Sequence, residues 1–250
     1  MYLSTGAGIL TLTKLGTARL GGRTIVSSFT RCTLKCLLIA ITALSALTAV
    51  ASAQCLRGSL PQANFFHSTG DPILDKQLDT EARAIGRVLE VSPKLYILDD
   101  GDQPNAYAVP PSADLPSGAV CLGIRLLSDV LKETNGAPEG VDGILAHEFG
   151  HILQAKLNSP LSGKWRELHA DYMAGYCLGK RRMHMNAFAW CLYKLGDYGF
   201  SNPTHHGTPA SRNEAMVQGY LNSGSSLEEA FFYAQKMMLQ FAEEERSKAD

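Results

Sequence analysis

One run constrains this chain more than any other part of it: Gly143-Ile144-Leu145-Ala146-His147-Glu148-Phe149-Gly150-His151-Ile152-Leu153-Gln154. It reads as an amphipathic helix, and on a helix His147 and His151 stand about one turn apart, so both imidazoles project from one face and can bind a single zinc ion. Glu148 lies three residues before His151 and flanks the same patch, where its carboxylate can take a proton from a zinc-activated water. Ile144, Phe149, Ile152 and Leu153 supply apolar surroundings that anchor the helix. The spacing by itself also fits two satisfied surface histidines. Against that stands a second cluster, Arg166-Glu167-Leu168-His169-Ala170-Asp171-Tyr172-Met173-Ala174-Gly175, on the next helical segment. A catalytic zinc takes three protein ligands and keeps one position open, and two histidines with a glutamate form such a set, so Glu167 is read as the third ligand. Asp171, one turn on and on the same face, can accept the free N–H of a zinc-bound histidine and fix its tautomer. His169 is two residues from Glu167, points elsewhere and is not assigned as a ligand.

The surrounding pattern is helix, sheet, helices. Asp71-Pro72 reads as an N-cap followed by proline at the first helical position, opening a helix to about Glu90. Three short segments of strand character follow, Lys94 to Leu98, Ala106 to Val109 and Ala119 to Ile124, and predict a small sheet. Helical spacing then marks Leu126 to Glu133, Val141 to Leu157, Trp165 to Leu178, Met185 to Leu195, Pro209 to Leu221 and Leu227 to Phe241. The order makes the fold class α+β, a small sheet packed on a mainly helical domain. No repeat or long linker interrupts the later part, so residues 71–250 read as one domain after a linker at 54–70.

Residues 1–53 read as a leader. They hold Lys14, Arg19, Arg23, Arg31 and Lys35 and no acid, and an apolar run from Leu37 to Val50 ends at Ala51-Ser52-Ala53, a small-x-small site for signal peptidase. The expectation is a secreted or periplasmic protein that starts near Gln54, the alternative being an uncleaved signal that anchors it in the membrane. The rest of the chain carries 18 basic against 24 acidic residues, a balance that excludes nucleic acid as a partner class. Four cysteines follow the leader, Cys55, Cys121, Cys177 and Cys191; they read either as two disulfides or as buried thiols.

His147-Glu148-Phe149-Gly150-His151 followed by Glu167-Leu168-His169-Ala170-Asp171 resembles the H-E-x-x-H and E-x-x-x-D pair of gluzincin metallopeptidases related to HtpX and the CAAX prenyl protease. Asn105-Ala106-Tyr107-Ala108-Val109 and Val120-Cys121-Leu122-Gly123-Ile124-Arg125-Leu126-Leu127 are similar to that family's Asn-Ala-Phe-Ala strand and the Gly-Leu-Leu segment before its active helix. His206-Gly207-Thr208-Pro209-Ala210-Ser211-Arg212 resembles the His-Gly-to-Arg segment of secreted neutral zinc metallopeptidases and the His-Pro-to-Arg segment of HtpX-like enzymes. The likeness runs from about residue 71 to residue 221. It implies a zincin-like fold, one zinc per chain held by His147, His151 and Glu167, and a peptide or protein substrate. It also implies that His206 and Arg212 lie near the cleft, where a cation or N–H donor stabilises an oxyanion; His205 competes with His206, and Arg212 reads equally as an ion pair to Glu167 or Asp171. Only 15 residues separate His151 from Glu167, fewer than in the membrane relatives, and no hydrophobic stretch after the leader is long enough to span a bilayer, so the chain looks like a minimal soluble member.

The reading that results is a zinc endopeptidase with Glu148 as general base and the edge Asn105, Ala106, Tyr107 and Ala108 as the place where an extended substrate adds to the sheet. Two other functions compete. One is a zinc-stabilised scaffold, which Glu148 opposes because structural zinc sites fill four protein positions; the other is a zinc hydrolase of a non-peptide amide. Glu167→Ala is expected to lose, on dialysis, zinc that the unaltered chain retains. Unchanged metal content by atomic absorption would return His169 or His205 as the third ligand.

Overall fold

The computed structural model describes residues 65–102, 104–195 and 206–249, all within the unit Ala49–Asp250. The leader at 1–53 with its cleavage site, Cys55 and His205 lie outside the described residues. The first element is a two-residue strand, β1 (Phe65–Phe66), in the stretch that pattern reading assigns to a linker; two residues carry too little periodicity to be seen in a sequence. Helix α1 (Pro72–Leu89) starts as the sequence predicts: the Asp71 side chain accepts from the backbone N–H groups of Ile73 and Leu74, and Pro72 brings no N–H that needs a partner. Then come β2 (Lys94–Leu98), β3 (Ala106–Val109) and β4 (Ala119–Gly123), followed by α2 (Ile124–Glu133), α3 (Pro138–Lys156), α4 (Gly163–Lys180), α5 (Asn186–Leu195), α6 (Pro209–Leu221) and α7 (Leu227–Ala249).

The strands form one sheet in the order β1-β2-β4-β3, with β2 parallel to β4 and the other two pairings antiparallel. Alternation along the strands sorts the side chains by face. Ile97, Ala106, Ala108, Val120 and Leu122 join the main core under the helices, while Leu98, Tyr107, Val109, Ala119 and Cys121 close a smaller cluster with Leu115 on the other face. The loop before β3 is fixed from a distance. Asp100 accepts from the backbone N–H groups of Asn105 at 3.1 Å and of Arg125 and Leu126 at 2.8 and 3.0 Å, so it caps α2 across 25 residues of sequence. Gly123 makes room for this, since a Cβ there would sit 1.9 Å from the Asp100 carboxylate.

The helix with the two histidines differs from the amphipathic expectation. Every residue of α3 from Gly140 to Gln154 is buried, which makes it the central helix rather than a surface one. The cause is its small residues: the Phe188 ring of α5 lies where a Cβ of Gly143 would be, and Ala170 and Met173 of α4 close on Gly150. A polar stripe that a sequence pattern assigns to solvent is here covered by α4, α5 and β3. Helix α7 places Ala230, Phe231, Ala234 and Met238, which recur at helical spacing, in the core. Of the two readings for the cysteines, Cys177 and Cys191 take the second: both are buried free thiols, and burial pushes them up to about 12 and about 11.

Helices α4 and α6 meet backbone to backbone. A Cβ on Gly175 would stand 1.9 Å from the carbonyl oxygen of Met216, and one on Gly219 would stand 1.9 Å from that of Tyr172. No side chain can yield to relieve such a contact, because the obstacle is main chain. Gly175→Ala is therefore expected to destabilise the fold by about 1–3 kcal/mol or more in chemical denaturation, with loss of zinc retention in parallel. A variant of unchanged stability would mean that the two helices do not cross this closely.

Candidate metal centre

Helix α3 presents His147, Glu148 and His151 toward α4, which returns Glu167 and Asp171 after a short turn. The three expected ligands converge: His147, His151 and Glu167 each offer one ligand atom, all within 4.8 Å of one another and all buried. The two Nε2 atoms lie 3.2 Å apart, and Glu167 Oε2 lies 3.5 Å from that of His147 and 3.4 Å from that of His151. Glu167 Oε2 has no hydrogen-bond partner among the described residues. Burial pushes the Glu167 carboxyl up, but the imidazoles of His151 and His147 outweigh it and hold the group well below the usual carboxylate range. Two imidazole nitrogens and an unpartnered carboxylate oxygen, buried and pointed at one spot, are the donor set of a catalytic zinc site.

Asp171 lies beside the first of these histidines. Its Oδ1 lies 2.8 Å from His147 Nδ1, and the carboxylate has no exposed surface. Arg212, from the first turns of α6, holds it in a fork: Nε donates to Oδ2 at 2.7 Å and a terminal N–H donates to Oδ1 at 2.8 Å. Burial would raise the Asp171 carboxyl, and the guanidinium of Arg212 followed by His147 brings it below its ordinary value. The structure thus places Arg212 in the ion pair with Asp171 and also on the wall of the cavity beside Glu148. That cavity, about 20 Å³, is bordered by Pro104, Asn105, Ala106, Leu126, Ile144, His147, Glu148, Phe188, Leu192 and Arg212. Burial pushes the Glu148 carboxyl up to about 7, against the pull of His147 and His151.

Of the expected substrate edge, Asn105 and Ala106 border this cavity, Tyr107 is fully buried in the small cluster on the far face, and Ala108 is buried in the main core. His206 is half-buried just ahead of Gly207 and Thr208, the latter being the N-cap of α6, and is not part of the cavity wall. Sequence reasoning misses Gln154. It sits three residues after His151, on the same side of α3, with its Oε1 2.8 Å from His151 Nδ1. The signal was a polar residue at helical spacing behind the motif, without a pattern to mark it. His169, set aside as a non-ligand, is fully buried beside Gln154, and burial lowers its imidazole to about 4.

Removing Arg212 leaves a buried charge without its main partner. Arg212→Met is expected to cost about 3–5 kcal/mol of stability by urea denaturation, and Arg212→Met combined with Asp171→Asn less, because a neutral amide needs no counter-charge. A loss of about 1 kcal/mol or less for the single variant, the worth of a solvent-exposed pair, would show that the pair is not buried in solution.

Comparison with known proteins bears on the same residues. No curated protein and no solved structure matches the chain. A family model does: the one described as peptidase family M48 matches residues 70–214, more than half of the chain and the whole of the stretch from α1 to Arg212. This span holds the H-E-x-x-H helix, the third ligand and the Asp171–Arg212 pair in the order in which the structure assembles them. The chain belongs to peptidase family M48, and with two histidines and a glutamate able to hold one metal ion it is a zinc metallopeptidase.

Proposed function

We propose that the chain is an endopeptidase with Glu148 as its general base, acting outside the cytoplasm after residues 1–53 have directed its export. Glu148 Oε2 carries the catalytic part of this reading. The atom is buried and has no hydrogen-bond partner among the described residues. Leaving such an oxygen unpaired costs about 1–3 kcal/mol or more, which a fold bears where the oxygen acts on something that is not part of the chain. The cavity of about 20 Å³ beside it has room for one water.

When bound by His147, His151 and Glu167, zinc supplies a Lewis acid that acidifies a water and polarises the scissile carbonyl. Glu148 takes the proton of the attacking water through Oε2 and delivers it to the departing amine nitrogen, so the carboxylate ends the cycle as it began. Asp171 accepts the Nδ1–H of His147 and leaves the Nε2 lone pair directed toward Glu167. Arg212 holds Asp171 in place, and its positive charge on the cavity wall favours an oxyanion there.

Strand β3 pairs with β4 on one side and has no strand on the other among the described residues. An extended peptide added along that edge at Asn105 and Ala106 runs past Glu148 with chain in both directions, as internal cleavage requires. Tyr107 and Ala108, whose side chains are buried, contribute backbone only. The cavity has room for a water and not for a peptide, so binding of a substrate requires part of its wall to move. For export, the basic and apolar leader with its small-x-small site is the support.

The test is digestion of a mixed peptide library by the zinc-loaded chain and by Glu148→Gln, with products read by mass spectrometry. Internal cleavage is expected from the first, and a rate lower by about 10²–10⁴ from the second with its zinc retained. A variant that cleaves at a near-normal rate would remove Glu148 as the base.

A further inference from the structure

His147 is backed by a carboxylate, but His151 is backed by an amide, and the amide belongs to a chain of hydrogen bonds whose directions can be worked out from its ends. The carbonyl oxygen of Phe231, on α7, lies 3.1 Å from His169 Nε2. A carbonyl only accepts, so His169 Nε2 carries the hydrogen and, in a neutral ring, Nδ1 is bare. The carbonyl oxygen of Arg166 lies 2.8 Å from the Gln154 amide nitrogen, which fixes that end of the amide as the NH₂ group. Its other hydrogen goes to the bare Nδ1 of His169 at 3.1 Å. With both hydrogens of the amide committed, Gln154 Oε1 faces His151 Nδ1 at 2.8 Å and can only accept. His151 must therefore hold its hydrogen on Nδ1, and its Nε2 is a bare lone pair turned toward His147 and Glu167.

We infer that Gln154 and His169 are positioning residues, which lock His151 in the tautomer and ring orientation a metal ligand needs, and that the Phe231 carbonyl of α7 is the outer anchor of this lock. Both side chains are buried, Gln154 at 4% exposure and His169 at 0%, so water does not substitute for either. The anchor lies outside residues 70–214, the span that matches the family model, so the C-terminal helix is part of the metal centre's support and not only a cover for the core. This inference rests on the reading of His151 as a metal ligand.

Two measurements on the full chain test it: long-range ¹H–¹⁵N spectra of the histidine rings in metal-free protein, and zinc affinity by competition with a chromophoric chelator. The unaltered chain is expected to show His151 as the Nδ1–H tautomer and His169 as the Nε2–H tautomer. Gln154→Leu should mix the tautomers of His151 and weaken zinc binding about 10- to 100-fold, while His147, held by Asp171, keeps its Nδ1–H and reports that the fold is intact. His169→Leu should weaken binding in the same direction, since it frees the Gln154 amide to turn. His169→Gln should restore it, because a glutamine can accept from Gln154 and donate to the Phe231 carbonyl at once. Should Gln154→Leu not fold, the contrast between Leu and Gln at position 169 decides. A folded Gln154→Leu with unchanged tautomer and affinity, or equal behaviour of the two substitutions at 169, would overturn the inference alone; an unaltered chain that takes up no zinc would overturn the metal-site reading, and this inference with it.

Discussion

A fully buried carboxylate, Asp171, is the constraint to which the rest of the helical layer answers. An ionised carboxylate inside a protein is tolerated only with a close counter-charge and its lone pairs filled. Asp171 sits on α4, its counter-charge Arg212 on α6 and its second partner His147 on α3, so one side chain ties three helices. The two-pronged grip of Arg212 is short-range, and it is reached only if α6 runs close against α4. Gly175 and Gly219, each facing the opposite backbone, make that approach available. The glycines and the ion pair are thus two parts of one solution, and the imidazole of His147 gains its orientation from both.

The other wall of the cleft is fixed by a separate device. Asp100 binds the backbone at Asn105, just before the edge strand β3, and at Arg125 and Leu126 in the first turn of α2, and so sets where β3 begins relative to α2. Asn105 and Ala106 are held in this way against the cavity that Glu148 borders. The helical wall and the sheet wall therefore do not depend on the same interaction. α5, which adds Phe188 and Leu192, rests on α3 at two small residues, Phe188 against Gly143 and Cys191 against Gly140.

The parts of this arrangement that sequence shows are those with a period or a fixed offset. The elements from α1 to α7 follow from helical and strand spacing, with most ends shifted by a few residues and α7 running eight residues past Phe241 to Ala249, and the α+β order follows from their succession. His147, His151, Glu167 and Asp171 are legible because ligand chemistry dictates offsets along two helices. What stays hidden depends on neighbours distant in sequence. The burial of α3 on all sides comes from Phe188, Ala170 and Met173 closing on its glycines, and a single-helix pattern does not contain them. The role of His169 is hidden for the same reason: two residues from Glu167, it faces away from the ligands, as its spacing says, but the direction away leads to Gln154 and to a carbonyl on α7.

The difference between the two histidine supports has an electrostatic logic. The buried charged side chains of the centre are Glu148, Glu167 and Asp171 against Arg212. With Glu148 ionised, as a base must be, three carboxylates and one guanidinium leave two negative charges, which a divalent cation would cancel. A carboxylate behind His151, matching the one behind His147, would add a charge for which no further buried cation is at hand among the described residues, and at this burial its cost is several kcal/mol. Gln154 offers the same accepting oxygen without the charge. Neutrality has its own requirement, however: an amide can turn end over end where a carboxylate cannot be mistaken for anything else, so its orientation must be imposed from outside. The carbonyl of Arg166 and the imidazole of His169, itself oriented by Phe231, impose it. An ionic support for one ligand needs a single partner residue, whereas a neutral support for the other recruits a relay that reaches the last helix of the chain.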